Sequence, residues 1–142
     1  LAQVAEAAVS VFQAMPGLHC TLERLSEQPQ DVLADRDHLM RVFNNLLKNA
    51  QQAIPEDRAG RVEVRLRSTD TEAIAEVRDN GTGIAEKDRE RIFRPNFTTK
   101  SSGMGLGLAM VQRMVESAGG RVWFESREGA GSSFFVALPL RK

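Results

Sequence analysis

The residues from Asp35 to Ala53 read DRDHLMRVFNNLLKNAQQA. Apolar residues recur in this stretch at intervals of three and four, which is the spacing of a helix that buries one face. Asp35 is of the residue type that caps a helix N-terminus, and Pro55 is of the type that ends one. The stretch therefore predicts an amphipathic helix that packs against the core of a folded domain.

The flanking segments predict two more helices and a sheet. Helical spacing precedes Pro16 and returns from Leu108 to Ala118, where Gly119 and Gly120 end it. Strand-like patterns cover Leu18 to Leu25, Arg61 to Ser68, Glu72 to Arg78, Val122 to Ser126 and Phe134 to Leu140. Short turns join the last four strands into hairpins. We therefore predict an α+β fold, a two-layer α/β sandwich with a mixed, mostly antiparallel sheet of about five strands and three helices on one face.

The region between the second hairpin strand and the last helix has little regular pattern. Glu86 to Phe93 predicts a short charged helix, and from Arg94 to Gly107 the periodicity disappears. Loops of this length in compact domains are usually functional or mobile.

The composition of the chain excludes several classes of function. Lys and Arg together number 19, as do Asp and Glu, so no net field attracts nucleic acid or anionic membrane. The sequence has one cysteine, Cys20, which excludes a disulfide framework within the chain and a zinc cluster. No apolar run approaches the roughly 20 residues of a membrane helix. Because the sequence does not start with Met, we expect residues 1–142 to be one domain of a longer protein.

Several other residue patterns have simpler interpretations. Arg58, Arg61, Arg65 and Arg67 partly alternate with apolar residues, which is typical of the solvent face of a strand rather than a nucleic-acid patch. His19 and His38 have no Cys or acid at ligand spacing. Trp123 has the opposite parity to its apolar neighbours in the strand, which favours a surface or contact aromatic.

Asn45 and Asn49 stand four residues apart on the predicted helix, so they share one face. Their side-chain oxygens suit a hard cation that is shared with phosphates. The alternative is that both asparagines merely face solvent.

Asp79 ends a strand in which Ala75 and Val77 share its parity, so its carboxylate points inward and requires a donor. Gly81 and Gly83 follow it and permit a tight turn and the close approach of a flat ligand. An adenine amino group would supply the donor, through a charge-assisted bond worth about 1.5–3 kcal/mol. The alternative is ordinary turn chemistry of Asp-Asn-Gly.

The stretch Gly103 to Leu108 reads GMGLGL and opens a helix. Alternating glycines expose backbone N–H groups, and a helix N-terminus favours anions, so phosphates fit. A flexible hinge is the alternative. Thr98, Thr99 and Lys100 just upstream would add hydroxyls and a positive charge to the same phosphates.

Taken in order, these motifs resemble the catalytic ATP-binding domain of bacterial sensor histidine kinases, whose wider fold is shared by gyrase, the Hsp90 chaperones and MutL. Asp35 to Ala53 is similar to the N box of that family. The later motifs are DNGTGI at 79–84, RIFRPNFTTK at 91–100, GMGLGL at 103–108 and GAGS at 129–132. The run around Asn49 and the Phe97 to Lys100 segment look most like the nitrogen-regulation type.

The resemblance implies a set of site residues. Asn49 would coordinate Mg²⁺, Asn45 would support the metal and the phosphates, and Lys100 would act with them in catalysis. The nucleotide would be bound by Asp79, Gly81, Gly83, Ile84, Phe93, Phe97, Thr98, Thr99, Gly103, Gly105, Leu106, Gly107, Leu108 and Ser132, part of them in a mobile ATP lid.

The resemblance also implies a reaction and partners. Hydrolytic members of the superfamily carry a Glu four residues before the metal-binding Asn, and here that position is Asn45, which cannot take a proton at neutral pH. We therefore expect transfer of the γ-phosphoryl group of Mg-ATP to a histidine on a separate dimerisation and phosphoacceptor domain of the same kinase. A response regulator would act downstream. A hydrolytic ATPase and a non-catalytic nucleotide-binding module are the alternatives.

The resemblance further implies a monomeric isolated domain in the cytoplasm. Whether the parent kinase is anchored at the inner membrane stays open.

Overall fold

The structure is a computed structural model and describes residues 2–13, 18–24, 32, 35–55, 59–84, 89, 92, 107–127 and 129–140. The elements in these ranges are α1 (Ala2–Gln13), β1 (Leu18–Arg24), α2 (Arg36–Ala53), β2 (Gly60–Ser68), β3 (Glu72–Asp79), α3 (Gly107–Ser117), β4 (Arg121–Arg127) and β5 (Gly131–Pro139). They confirm the predicted helices and strands there, with bounds that differ by a few residues. The predicted helix at 86–93 and the loop at 94–107 lie outside the described residues, apart from Arg89, Ile92 and Gly107.

The strands of the described part form one five-stranded sheet in the order β1-β2-β3-β5-β4. β1 pairs with β2 in parallel, and α2 lies in the crossover between them, as a parallel pair requires. The remaining pairs, β2–β3, β3–β5 and β5–β4, are antiparallel. The predicted mixed, mostly antiparallel sheet is confirmed.

The helix α2 forms as its sequence predicts. Asp35 is the N-cap, and its Oδ1 accepts hydrogen bonds from the backbone N–H groups of Asp37 at 2.8 Å and His38 at 3.3 Å. At the other end Ile54 has an extended backbone, which is the conformation favoured before a proline. The face that α2 buries consists of Leu39, Val42, Phe43, Leu46, Leu47 and Ala50.

The core lies between one sheet face and the three helices of the described part. α1 packs on β1, α2 crosses the middle of the sheet, and α3 packs over β4. Alternate residues of the strands point to these helices, and they include Val62, Val64, Leu66, Ala75, Val77, Phe134, Val136 and Leu138. The helix layer therefore covers one sheet face, and the polar groups at the edge of this core define the candidate site.

The C-terminal end of α3 is set by two glycines. Gly119 has a φ of 82°, and its N–H donates to the Glu116 carbonyl at 3.0 Å while that of Gly120 donates to the Val115 carbonyl at 2.9 Å. This pair of bonds is the Schellman motif, which satisfies carbonyls that the helix leaves unpaired. The predicted helix stop is confirmed.

The other sheet face carries charged and aromatic side chains. Arg61 and Arg67 are exposed, and Arg65 pairs with Glu63 at 3.1 Å, as expected for the solvent face of a strand. The Trp123 ring stacks on Phe135 with centroids 5.1 Å apart. Trp123 is therefore a contact aromatic whose partner belongs to the same chain. None of the helices in the described ranges has the length and apolar character needed to cross a membrane.

Candidate functional site

Asp79 lies at the end of β3 and is 4% exposed, with its side chain on the helix side of the sheet. Its Oδ1 accepts a hydrogen bond from the N–H of Gly81 at 2.8 Å. A buried carboxylate is stable only when donors surround it, and the turn after β3 supplies one of them. The structure confirms the inward direction that the strand parity predicted.

Two polar neighbours extend Asp79 into a row across the sheet. Ser132 on β5 lies directly opposite Asp79 and is 6% exposed, and Ser126 on β4 lies opposite Ser132. On the other side the same row continues through Val62 to Cys20, which are buried and apolar. One edge of the core is therefore polar on three adjacent strands.

The turn after β3 approaches the end of α2 so closely that only glycine fits at Gly81. A β carbon there would overlap the carbonyl of Ala53 and would lie 2.9 Å from the Oδ1 of Asp79. Thr82 ties the same turn to α2, because its N–H donates to the Ala53 carbonyl at 3.0 Å. Gly83 has a φ of 76°, in the region that favours glycine. Both predicted glycines therefore have a structural requirement, and both lie beside Asp79.

Asn80 has a structural role next to these site residues. Its side-chain Oδ1 accepts from the N–H of Arg61 at 2.8 Å, and its Nδ2 donates to the carbonyl of Ala59 at 2.9 Å. The turn chemistry that was the alternative interpretation of Asp-Asn-Gly is thus present, and it coexists with an inward Asp79. Asn80 holds the start of β2 against the end of β3.

Asn45 and Asn49 are both half-buried on α2, one turn apart on the same side of the helix. Asn45 lies beside the first residue of α3, because a β carbon at Gly107 would be 3.5 Å from its Oδ1. A helix N-terminus carries unpaired N–H groups and a partial positive charge. The structure therefore brings an amide oxygen and the start of α3 together at the edge of the core.

Ile84 and Leu108 are half-buried and pack against the core. Together with Gly107 they are the described residues next to the segment 85–106. The other predicted ligand-binding residues of that segment lie outside the described residues, and they are Phe93, Phe97, Thr98, Thr99, Lys100, Gly103, Gly105 and Leu106. Their roles stay predictions.

Ser126 is a site residue that the sequence analysis missed. Its Oγ accepts a hydrogen bond from the N–H of Ile84 at 2.8 Å and lies 3.0 Å from the Oγ of Ser132. The signal was its parity, because Ser126 is a polar residue on the same side of β4 as Val122 and Phe124. A hydroxyl at an inward strand position needs a partner, and here that partner belongs to the site.

The donor set fits a magnesium nucleotide. Mg²⁺ takes oxygen ligands and is bound in proteins through few side chains together with substrate phosphates. Among the described residues no group of three or more His, Cys, Asp or Glu could hold a metal ion. The amide oxygen of Asn45 lies near the start of α3, and Asn49 lies one turn further along α2. An ionised carboxylate such as that of Asp79 accepts hydrogen bonds from donors.

Comparison with known proteins gives the family. The family model described as Histidine kinase-, DNA gyrase B-, and HSP90-like ATPase matches residues 34–142. The chain therefore belongs to this family of ATPases, and it is an ATP-binding domain.

Within that family the chain is similar to histidine kinases. The catalytic domain of the histidine kinase ThkA is 30% identical, with a TM-score of 0.86 over 99% of this chain and 92% of that chain. The mycobacterial sensor histidine kinase MprB is 27% identical, with a TM-score of 0.85 over 99% of this chain and 95% of that chain. Both likenesses confirm the α/β sandwich predicted from the sequence.

The chain is also similar to parts of longer histidine kinases and sporulation kinases. The sensor histidine kinase ZraS of Salmonella typhimurium (strain LT2) is 42% identical over 116 residues, which cover 81% of this chain and 24% of that protein. Sporulation kinase D of Bacillus subtilis (strain 168) is 37% identical over 119 residues, which cover 84% of this chain and 23% of that protein. The chain thus spans about a quarter of the length of these curated relatives. The nitrogen-regulation subtype stays a prediction.

Proposed function

We propose that this chain is the catalytic domain of a sensor histidine kinase, which binds Mg-ATP and transfers the γ-phosphoryl group to a histidine on a separate dimerisation and phosphoacceptor domain. The observation that carries the proposal is the position of Asp79, a carboxylate that is 4% exposed at the edge of the core, beside a glycine turn. The family and the named relatives support the same activity.

Asp79 recognises the adenine base. Its Oδ1 already accepts from Gly81, and a carboxylate has about four lone-pair sites, so it can accept from an adenine amino group as well. Ser132 lies opposite on β5 and places a hydroxyl beside the same base. Gly81, Gly83 and Ile84 lie beside the base, since the turn that they form starts at Asp79.

Asn45 and Asn49 bind the polar end of the nucleotide. Asn49 contributes an amide oxygen to Mg²⁺, and Asn45 supports the metal and the phosphates from a position next to Gly107. When bound, Mg²⁺ would neutralise part of the negative charge of the phosphates. The start of α3, with Gly107 and Leu108, directs backbone N–H groups at the phosphates, as helix N-termini do.

The segment before α3 contributes the remaining contacts. We assign Phe93 and Phe97 to the packing at the base of the lid, and Thr98, Thr99 and Lys100 to the phosphates. Gly103, Gly105 and Gly107 let the backbone of the lid approach the phosphates closely, and Leu106 between them also contacts the nucleotide. Lys100 acts as a point charge that stabilises the transferring phosphoryl group, in the way that cations assist phosphoryl transfer.

Transfer is favoured over hydrolysis by the side chain at Asn45. A hydrolytic site needs a base that takes a proton from water, and a carboxamide cannot take one at neutral pH. The nucleophile therefore comes from a partner. The sequence has two histidines. His19 lies on β1 and His38 lies in the first turn of α2. Both side chains are exposed, and neither belongs to the row formed by Asp79, Ser132 and Ser126.

A reconstitution experiment tests the proposal. The purified chain is mixed with a phosphoacceptor domain from a sensor kinase, ATP and Mg²⁺, and acid-labile phosphohistidine is measured. We expect phosphohistidine on the acceptor domain, and little phosphate release by the chain alone. Steady phosphate release by the chain alone, abolished in Asn45→Ala, would instead support a hydrolytic ATPase. Binding of ATP without any phosphohistidine would support a non-catalytic module.

A further inference from the structure

Ser126 on β4 connects the start of β5 with Ile84 and Arg89, which are distant from it in sequence. Among the described residues, its Oγ lies 2.8 Å from the N of Ile84, 3.0 Å from the Oγ of Ser132 and 3.2 Å from the carbonyl oxygen of Gly131. Its own carbonyl accepts from the Nη2 of Arg89 at 2.7 Å. Ser126 thus contacts both β5 and the segment that follows the Asp79 turn.

The hydrogens in this cluster can be assigned by counting donors. The N–H of Ile84 can only donate, so the Oγ of Ser126 accepts from it. The carbonyl of Gly131 can only accept. All three contacts are hydrogen bonds together only if Ser126 donates its one hydrogen to Gly131 and Ser132 donates to Ser126.

This assignment fixes what Ser132 offers to a ligand. Once its hydrogen is directed to Ser126, the hydroxyl of Ser132 has only lone pairs left, so it is an acceptor. Asp79, opposite Ser132, is an acceptor when ionised. Two neighbouring acceptors favour a base edge that donates, as the 6-amino group of adenine does, over one that carries a 6-oxo oxygen.

We propose that Ser126 is a positioning residue for base recognition, which orients the Ser132 hydroxyl as an acceptor and anchors Ile84 beside Asp79. The inference rests on the proposed adenine site. It assigns to Ser126 a part of the preference for 6-amino over 6-oxo purine nucleotides. Ser126 acts through Ser132 and Ile84 and does not need to touch the nucleotide.

The test compares ATP with inosine triphosphate, which differs from it at the 6-position. Dissociation constants for both are measured by calorimetry with Mg²⁺ for the wild-type chain, Ser126→Ala and Ser126→Thr. Ser133→Ala is the matched control, because Ser133 is the next residue of β5 and has the opposite parity to Ser132. Thermal unfolding of each variant is recorded alongside.

In Ser126→Ala the hydroxyl of Ser132 is released and can donate as well as accept. We expect ATP to bind about five- to tenfold more weakly, the effect of one lost hydrogen bond. We also expect the ratio of the two dissociation constants to fall toward one. Ser126→Thr keeps the hydroxyl and should restore both values, while Ser133→Ala should match the wild type.

Two results would overturn the inference while the proposed function stands. One is wild-type affinity for ATP in Ser126→Ala, and the other is an equal weakening of both nucleotides with an unchanged ratio. If Ser126→Ala does not fold, Ser132→Ala serves instead, and an unchanged ratio there has the same consequence. A wild-type chain that binds neither nucleotide would refute the proposed function itself, and the role of Ser126 with it.

Discussion

Gly131 and Asp79 are in backbone contact across two neighbouring strands. A β carbon at Gly131 would overlap the carbonyl oxygen of Asp79, and the φ of Gly131 is 114°. The residue before Ser132 is therefore a glycine for two reasons, the close approach of β3 and a backbone conformation that other residues rarely adopt. This contact fixes Ser132 opposite Asp79.

Gly131→Ala should destabilise the fold. Backbone strain and overlap with the Asp79 carbonyl together are expected to lower the free energy of unfolding by roughly 2–4 kcal/mol. The measurement is urea denaturation. Gly129→Ala is the control, since Gly129 also has a positive φ but nothing within 4 Å of a β carbon. The control should cost only about 1–2 kcal/mol, and equal losses in both variants would contradict the close contact.

Asp79→Asn should weaken ATP binding more than it weakens the fold. The Asn side chain keeps an oxygen for the Gly81 N–H, but the charge-assisted bond to the adenine amino group is lost. We expect affinity to fall by about 1.5–3 kcal/mol, or roughly 10- to 150-fold, with a small change in melting temperature. Calorimetry measures the first and thermal unfolding the second. Asp70→Asn is the control, because Asp70 is exposed in the β2–β3 turn. Unchanged affinity in Asp79→Asn would remove the adenine assignment.

Asn49→Ala should remove the part of nucleotide affinity that depends on magnesium. Loss of one amide ligand is expected to weaken Mg-ATP binding by about tenfold or more, which corresponds to about 1.4 kcal/mol. In the presence of a chelator the variant and the wild type should bind nucleotide alike. Asn44→Ala is the matched control, since Asn44 is an exposed asparagine on the same helix. An equal loss with and without Mg²⁺ would argue against a metal ligand.

Cys20 should react slowly with thiol reagents in the folded chain. It is 5% exposed, and burial raises the pKa of its thiol above the ordinary value. Less thiolate is present at a given pH, and thiolate is the reactive form. The stabilisation from keeping the thiol protonated is fully present below the pKa that the thiol has in the unfolded chain, and it is lost as the pH rises from there through the raised pKa of the folded chain. Labelling with a disulfide reagent at about pH 8 should be slow until denaturant is added. Immediate labelling of the folded chain would contradict the burial of β1.

Local patterns in the sequence predicted the elements of the fold well. The stripe from Leu39 to Ala50 and the cap at Asp35 define α2 because helix formation depends on neighbours three and four residues apart. The inward direction of Asp79 also followed from a local pattern, because alternate residues of a strand point to the same face of the sheet. The sheet was predicted to be mixed, but local patterns do not identify β1 and β2 as its parallel pair, because that pairing joins segments on either side of α2.

The contacts that complete the candidate site are long-range, and this is why sequence analysis missed them. Ser126 binds Ile84 across 42 residues, and Gly81 is confined by Ala53, whose carbonyl belongs to a different element. Parity singles out Ser126 as an inward hydroxyl, but only the strand order β3-β5-β4 places it beside Ser132. The family resemblance supplied Ser132, whereas no local pattern pairs Ser132 with Ser126.

The recognition of adenine by Asp79 is tested most directly by a crystal structure with a non-hydrolysable ATP analogue and Mg²⁺. We expect the amino group of the base within hydrogen-bond distance of the Asp79 carboxylate, and the metal between Asn49 and the phosphates. A base bound elsewhere, or a crevice at Asp79 that stays filled by side chains in excess nucleotide, would contradict the proposed site.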